Sequence, residues 1–200
     1  MTDASVTLDD FLSAAAARQP TPGGGAVTAV AGALAAAMGE MVLNYSVGKK
    51  DLAAFDQSNT EALAEFRRAR LALLALMIED QEAFAAYNDA KKNAGDLSAA
   101  TRLCAHVPLA IGATALELLR VANRVVSQSN RWLLSDLAVS GELAIATVRC
   151  AAHNVRVNLH GISDARERES LARECERMVA QAVIEIRALI PTIQTIMNPS

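Results

Sequence analysis

Apolar residues recur at helical spacing along most of the chain. From about Ser58 to Ala90 they fall three, four or seven residues apart, at Leu63, Phe66, Leu73, Met77, Phe84 and Tyr87. Similar spacing returns near the C-terminus, at Met178, Ala182, Ile186, Leu189 and Ile193. This period places an apolar stripe along one side of each helix. The pattern therefore predicts amphipathic helices packed around a common core.

Turn-forming segments separate these helices. Residues 20–25 are Pro-Thr-Pro-Gly-Gly-Gly, which predicts a tight, non-helical turn. Thr7 and Asp10 resemble a capping box, and Ser135 is a candidate N-cap. The predicted helices are 7–18, 26–47, 58–90, 98–126 with a kink or break near Pro108, 135–160, and a last helix whose end contains Pro191.

No internal repeat or linker divides the chain, so residues 1–200 are predicted to form one all-α domain. We expect a bundle of about six helices, several of them long, with the Gly-rich turn before the second helix. The composition agrees, since 52% of residues are hydrophobic but only 4% are aromatic, and alanine is abundant. Alanine favours helices and the scarce aromatics favour strands, which argues against a β-sandwich or barrel.

Net charge and cysteine usage indicate which partners the protein can bind and in which cellular compartment it functions. A net charge of −3 and a pI near 5.6 provide no basic surface for nucleic acid. The three widely spaced cysteines predict reduced thiols in a cytoplasmic protein, and the first residues do not resemble a signal peptide. The nearly uncharged segment 26–43 is long enough to span a bilayer, but its many Ala and Gly residues and Glu40 favour a packed helix.

The Gly-rich turn and two lysines are the first candidates for ligand binding. A helix that begins at such a turn offers free N–H groups and a positive dipole end to an anion or a polar ring edge. Lys49 and Lys50, beyond the far end of that helix, could bind a carboxylate. The alternative is structural: the glycines only make a tight turn, and the lysines only complement the helix C-terminus.

Polar residues on later helices add further candidates. Asp80 shares a helix face with Phe84 and Tyr87, although a solvated aspartate is the commoner explanation. Asn154 and Asn158 lie four apart on an otherwise apolar helix, where a packed amide needs a partner from another helix or a ligand.

Ser135-Asp136 and the histidines have simpler explanations. Ser135-Asp136 is explained by an N-cap followed by an acid that the helix dipole favours. No Glu-x-x-His motif occurs, because the residues three before His106, His153 and His160 are Leu103, Cys150 and Val157. We therefore expect no metal site.

Several motifs occur in the order typical of one family. They are the Pro-Thr-Pro-Gly-Gly-Gly turn, Gly48-Lys49-Lys50, Glu79-Asp80-Gln81-Glu82-Ala83-Phe84, His106-Val107-Pro108-Leu109, Asn130 with Ser135-Asp136, and Asn154-Val155-Arg156-Val157-Asn158. On these motifs the chain resembles the formiminotransferase-cyclodeaminase C-terminal domain family, which includes stand-alone bacterial methenyltetrahydrofolate cyclohydrolases. The resemblance covers nearly the whole chain.

The resemblance implies an all-helical homodimeric enzyme that acts on tetrahydrofolate derivatives without a metal or organic cofactor. The expected reaction is hydrolysis of 5,10-methenyltetrahydrofolate to 10-formyltetrahydrofolate. The alternative is cyclisation of 5-formiminotetrahydrofolate with release of ammonia. Departures from the family pattern at Asp51, Trp132 and Leu137 keep a third possibility open, a non-catalytic module that binds folate or another helix.

The methenyl bridge is an electrophilic cation, and its chemistry suggests a role for each polar candidate residue. A nearby carboxylate would accept a proton from water and stabilise the cation, and we rank Asp136 first and Asp80 second for this role. Lys49 and Lys50 would hold the glutamate tail of the folate. The predicted substrate-binding residues are Thr21, Pro22, Gly23, Gly24, Gly25, Asn44, Lys49, Lys50, Asn130, Ser135, Asn154 and Asn158.

Overall fold

The computed structural model describes residues 7–93 and 95–198, and the described residues contain six α-helices and no strand. The N-terminus, for which no signal peptide is predicted, lies outside the described residues. The helices are α1 (Leu8–Ala16), α2 (Gly24–Asn44), α3 (Asp56–Asn93), α4 (Leu97–Val125), α5 (Leu134–Leu159) and α6 (Ala165–Met197), with short 3-10 helices at Lys50–Phe55 and Arg131–Leu133. The predicted all-α bundle of six helices is confirmed.

Helices α2 to α5 form an antiparallel four-helix bundle in which each helix packs on the next and α5 packs back on α2. Residue pairs along α2 show its direction, since Gly25 lies beside Asp80 of α3 whereas Gly39 lies beside Phe66. Helix α6 lies outside this bundle and packs on α4 and α5. The outer side of α2 is therefore left without a covering helix among the described residues.

Small residues allow α2 to approach both of its neighbours closely, as the sequence predicts. A Cβ added to Gly32 would lie 3.0 Å from Thr147 of α5 and 3.1 Å from Leu73 of α3. Ser140 Oγ on α5 donates a hydrogen bond to the Ala35 carbonyl at 2.7 Å, which helps to fix the α2–α5 contact.

Several predicted helix limits differ from the structure by two or three residues. Helix α2 begins at Gly24 rather than Ala26, because Gly24 and Gly25 adopt helical backbone after the N-cap Gly23. The helix predicted at 58–90 is longer in the structure, because α3 begins at Asp56 and continues to Asn93.

Pro108 does not end α4, which runs unbroken from Leu97 to Val125. Proline has no N–H, so the carbonyl of Cys104, four residues earlier, loses its helical donor. Asn158 of α5 replaces that donor, since its Nδ2 donates to the Cys104 carbonyl at 2.8 Å. The predicted break is absent because a side chain from another helix satisfies the freed carbonyl.

Ser135 is not an N-cap, which corrects the prediction. Helix α5 begins at Leu134, directly after the 3-10 helix Arg131–Leu133. The capping side chain in this segment belongs to Asn130, whose Oδ1 accepts from the Trp132 N–H at 3.2 Å. Ser135 therefore lies exposed inside the first turn of α5.

Helices α2, α4 and α6 are each long and apolar enough to cross a membrane, judged by length and composition. We compared the most apolar 18 residues of each of these helices. Of these residues, 61% are buried within the protein in α2 and 67% in α4, but only 22% in α6. Residues 26–43 are predicted to form a packed helix, and α2 is indeed packed within the bundle.

Candidate functional site

A cavity of about 280 Å³ lies at the end of the bundle where α2 begins. The first turn of α2 meets α3, α4 and α5 there. Its lining residues are Pro20, Thr21, Gly23, Gly24, Gly25, Asp80, Phe84, Cys104, Pro108, Asn154, Val157 and Asn158. This list contains one predicted carboxylate, Asp80, and six of the predicted binding positions, which are Thr21, Gly23, Gly24, Gly25, Asn154 and Asn158.

Asp80 lies directly against the first turn of α2. Its carboxylate accepts a hydrogen bond from the Ala26 N–H. A Cβ on Gly25 would lie 1.9 Å from Asp80 Oδ1, so only glycine leaves room for the carboxylate in this position. The Gly-rich turn therefore has a local function, which is to let a side chain of α3 reach the helix N-terminus.

Burial raises the pKa of Asp80 above its ordinary value, and the hydrogen bond from Ala26 lowers it by less. Desolvation disfavours the charged carboxylate more than the N–H group stabilises it. A carboxyl group with a raised pKa holds and releases a proton closer to neutral pH, which suits general acid–base chemistry.

Asn154 and Asn158 form the α5 wall of the cavity, and both find the partners that packed amides need. Asn158 Nδ2 donates to the Cys104 carbonyl and also to the Asn154 carbonyl, both at 2.8 Å. Asn154 Nδ2 donates to the Cys150 carbonyl at 3.0 Å and approaches Thr28 Oγ1 at 3.5 Å. Asn158 therefore stabilises the proline-containing helix as well as lining the cavity.

Cys104 is a lining residue that sequence reasoning missed. The sequence predicts Cys104 only as a reduced thiol, and in the structure it is buried and forms no disulfide. Its Sγ donates to the Ala83 carbonyl at 3.4 Å. Burial, together with the nearby charge of Asp80, raises the pKa of the Cys104 thiol, which keeps it protonated. Its position four residues before Pro108 was the available signal.

The predicted aromatic surface beside Asp80 is present. Phe84 lines the cavity one helical turn after Asp80, and its ring stacks on Tyr87 with 6.4 Å between centroids. The cavity thus combines one carboxylate, two amides and one aromatic ring, a set that suits a flat polar molecule.

Pro22 directly precedes the N-cap Gly23 but does not line the cavity, and the other predicted residues lie at the opposite end of α2. Gly48 adopts a left-handed backbone with φ of 74°, and its N–H donates to Asp56 Oδ1 at 2.6 Å, which turns the chain after α2. Lys49 follows, with Nζ 3.2 Å from Asp51 Oδ2 and 3.5 Å from Asn130 Oδ1.

Asn130 joins this end of α2 to the loop before α5. Its N–H donates to Ser46 Oγ at 2.9 Å, and its Nδ2 donates to the Tyr45 carbonyl at 3.2 Å. Asn130 therefore has a structural role here. The remaining predicted residues at this end are Asn44, Lys50, Ser135 and Asp136, and all but the half-buried Asp136 are exposed.

The predicted residues thus form two groups within one protomer. Asn154 lies beside Gly24, and Asp136 precedes Asn154 by 18 positions on the same helix. At the α-helical rise this places Asp136 about 27 Å from the cavity. Asp136 and Lys49 therefore cannot reach the Asp80 cavity within the same protomer, whose width is on the order of 10 Å.

A second cavity, about 550 Å³ in volume, lies between α4 and α6. It is larger, but it contains none of the predicted residues. Within the described part of the chain, no group of three or more His, Cys, Asp or Glu side chains is placed to hold a metal ion. The Asp80 cavity is therefore the candidate site.

The fold and the cavity define an all-α bundle protein that can hold a small polar molecule beside a half-buried carboxylate at the start of one helix. The model of the formiminotransferase-cyclodeaminase family matches residues 7–177, and the chain belongs to this family. Members of the family that resemble this chain carry the names of enzymes acting on folate derivatives.

Two relatives match the chain from end to end. The methenyltetrahydrofolate cyclohydrolase of Methylorubrum extorquens is 31% identical, and the match covers 96% of this chain and 98% of the relative. The crystal structure of formiminotetrahydrofolate cyclodeaminase from Thermotoga maritima superimposes with a TM-score of 0.92 at 30% identity, covering 97% of this chain and 98% of that one. By contrast, the chain spans only 34% of the chicken formimidoyltransferase-cyclodeaminase, to which it is 26% identical.

Proposed function

We propose that this chain is a methenyltetrahydrofolate cyclohydrolase that hydrolyses 5,10-methenyltetrahydrofolate to 10-formyltetrahydrofolate. The end-to-end similarity to an enzyme of that name supports this choice of reaction. The observation that carries the mechanism is the position of Asp80, half-buried against the first turn of α2 in a cavity lined by amides and an aromatic ring.

Asp80, rather than Asp136, is the proposed general base. Asp80 lines the cavity and has a raised pKa, whereas Asp136 lies at the other end of α2 and lines no described cavity with it. A base must lie within hydrogen-bond reach of the proton that it accepts. The order in which the sequence ranked the two carboxylates is therefore reversed in this proposal.

In the proposed reaction, the carboxylate of Asp80 accepts a proton from water as the water oxygen bonds to the methenyl carbon. The product of this step is a neutral tetrahedral intermediate with a hydroxyl group on that carbon. The bond from the carbon to N5 then breaks, N5 receives the proton from Asp80, and the hydroxyl proton is released as the formyl carbonyl forms. One proton leaves to solvent per turnover, because the cationic substrate and water give a neutral product.

The remaining lining residues position the substrate in this proposal. The ring of Phe84 packs on the pterin, and the amides of Asn154 and Asn158 bind its polar edge. The glycines at the start of α2 let the ligand approach the backbone. In this proposal no metal or organic cofactor takes part and the protein is a homodimer, as the family resemblance implies. It is also cytoplasmic, as the cysteine usage predicts.

Cyclisation of 5-formiminotetrahydrofolate is the second candidate function. The close superposition on the Thermotoga maritima cyclodeaminase favours it, because the two chains share the fold over nearly their whole length. The same carboxyl group would then protonate the departing ammonia as the ring closes. Both reactions produce or consume the same methenyl bridge, so one cavity suits either.

The purified protein is tested with 5,10-methenyltetrahydrofolate by following the loss of its near-ultraviolet absorbance. A rate above that of buffer, abolished in Asp80→Asn, is the expected result. A rate no faster than buffer contradicts the hydrolase proposal. The appearance of the same absorbance from 5-formiminotetrahydrofolate would then assign the second reaction, and folate binding without turnover would indicate a non-catalytic module.

A further inference from the structure

Exposed aromatic side chains and cations lie together at the end of the bundle remote from the Asp80 cavity. Trp132 is 74% exposed and Tyr45 is 64% exposed. The basic residues of the same two segments are Lys49, Lys50 and Arg131. We call these five residues the Trp132 patch. None of them lines the Asp80 cavity, so the patch is a separate surface of the protomer.

The buried side chain of Asn130 holds the Trp132 patch together. Its Oδ1 accepts a hydrogen bond from the Trp132 N–H at 3.2 Å and lies 3.5 Å from Lys49 Nζ. Its Nδ2 donates to the Tyr45 carbonyl at 3.2 Å. One amide therefore joins the end of α2 to the loop before α5, and the backbone beneath the patch has a defined geometry.

Arg131 orders the Trp132 ring. The guanidinium carbon of Arg131 lies 4.9 Å from the centroid of the indole, which is the geometry of a cation–π contact. The guanidinium covers one face of the ring, and the high exposure of Trp132 leaves the other face open to solvent. A ring that is already ordered loses little conformational freedom when a ligand stacks on it, which favours binding.

Two of the three cations in the patch lack an acidic partner. Lys49 forms an ion pair with Asp51, with 3.2 Å between Nζ and Oδ2. Among the described residues, no carboxylate lies within ion-pair distance of Lys50 or Arg131. Stacking on the indole leaves the in-plane N–H donors of Arg131 free to bind an anion. The patch thus combines an open aromatic face with unpaired positive charge.

We propose that the Trp132 patch binds an aromatic ring that carries carboxylate groups, and that this ligand is the p-aminobenzoyl-glutamate part of the folate. The aryl ring stacks on the open face of Trp132, and the glutamate carboxylates, joined to the ring by a short amide link, pair with Lys50 and Arg131. The identity of the ligand rests on the proposed function, whereas the preference for a ring with carboxylates follows from the patch itself. The patch binds this part of the folate whichever protomer holds the pterin.

The stacking surface is a property of this chain in particular. Trp132 is one of the departures from the family pattern, so the resemblance implies the lysines but not the ring. Lysines alone attract any flexible anion, because an ammonium group is a point charge without a preferred plane. An indole beside them adds a preference for flat ligands. Trp132 is therefore expected to make binding depend on the aryl ring as well as on the glutamate.

The first test uses the fluorescence of Trp132, which is the single tryptophan of the chain. p-Aminobenzoyl-glutamate is titrated into the purified protein, and N-acetyltryptophanamide in solution corrects for light absorbed by the ligand. Saturable quenching is expected, with p-aminobenzoate and N-acetylglutamate each binding about tenfold more weakly because each lacks half of the contacts. Absence of saturable quenching overturns the inference. Tighter binding of ATP, which also joins a flat ring to anionic groups, overturns the choice of ligand.

The second test removes the ring and then restores it. Trp132→Leu is expected to weaken p-aminobenzoyl-glutamate binding in calorimetry about tenfold, and to raise the KM for 5,10-methenyltetrahydrofolate by a similar factor with kcat unchanged. Trp132→Phe keeps an aromatic face and is expected to recover most of the affinity. Ile184→Ala, at a residue of α6 that is 60% exposed, is the control and is expected to bind as wild type. Unchanged affinity in Trp132→Leu, or an equal loss in Trp132→Phe, overturns the stacking role.

The two tests separate failure of the patch from failure of the proposed function. An enzyme that hydrolyses 5,10-methenyltetrahydrofolate but shows no quenching and no change of KM in Trp132→Leu overturns the patch and leaves the reaction standing. Saturable quenching by p-aminobenzoyl-glutamate in a protein that leaves both folate substrates unchanged supports the patch and overturns the proposed reaction.

Discussion

At the start of α2 the polar candidate side chains are held between helices, whereas at its end the two candidate lysines are partly or fully exposed. Asp80 and Asn158 each have a partner from another helix, and burial raises the pKa of Asp80. At the other end, Lys49 pairs only with a side chain two residues away and with Asn130, and Trp132 is 74% exposed. Fixed, partly desolvated groups suit a chemical step, while mobile exposed cations suit the binding of a charged tail.

The largest effect is expected from exchanging the carboxylate at each end. Asp80→Asn is expected to lower kcat by about 100- to 10,000-fold with little change in KM, since a general base contributes that much. Asp136→Asn is the matched control and is expected to keep most of the rate, which steady-state kinetics of both variants would show. A larger loss in Asp136→Asn would reverse the assignment of the base.

Substituting alanine at two glycines distinguishes an effect on activity from an effect on stability. In Gly25→Ala the new Cβ would lie 1.9 Å from Asp80 Oδ1, and the carboxylate would shift. A displacement of about 1 Å in a catalytic group lowers kcat by roughly 100-fold, and little stability is expected to be lost. Urea denaturation and kinetics on the same preparation measure both effects.

Gly39→Ala is the matched change away from the cavity. Its new Cβ would lie 2.2 Å from the ring of Phe66, which is fully buried and has no room to move. Overpacking of this kind costs about 1 to 3 kcal/mol of stability, while the kcat/KM of the folded protein should stay near wild type. An equal loss of activity in both variants would show that Gly25 acts through general stability.

A smaller effect is expected at the Lys49 end. Lys49→Ala should raise KM about tenfold, the equivalent of roughly 1.4 kcal/mol of binding, and leave kcat nearly unchanged. The contribution should fall as salt rises, because the ammonium group is partly exposed. Lys91→Ala, at an exposed lysine in the last turn of α3, is the control. A change in kcat alone would contradict a role in tail binding.

The helices could be predicted because each carries an apolar stripe, and the period alone indicates a helix. The continuity of α4 could not, since Pro108 removes a donor locally and the replacement comes from Asn158, 50 positions later. The residues of the site could be predicted one by one from their motifs, but the contacts between them could not. Gly25 and Asp80 are 55 positions apart, and their contact depends on how α2 pairs with α3.

The sequence also could not predict that the candidate residues are divided between the two ends of α2. Spacing along a chain gives no information about which residues share an end of a bundle until the order of packing is known. Asp136 lies at the start of α5, and this helix runs antiparallel to α2 and begins at the end remote from the cavity.

The smallest expected effect is on the free energy of unfolding, which the burial of Asp80 lowers near neutral pH. The pKa of Asp80 is raised in the folded protein, so folding favours the protonated form. The stability associated with that proton is fully present below the unfolded pKa, about 3.9, and is lost as pH rises through the higher folded pKa. Asp80→Asn carries no charge and should therefore unfold at a higher urea concentration than wild type near neutral pH. In acid, the two proteins should unfold at similar urea concentrations. A variant that is less stable than wild type at neutral pH would show that the N–H of Ala26 favours the carboxylate more than burial disfavours it.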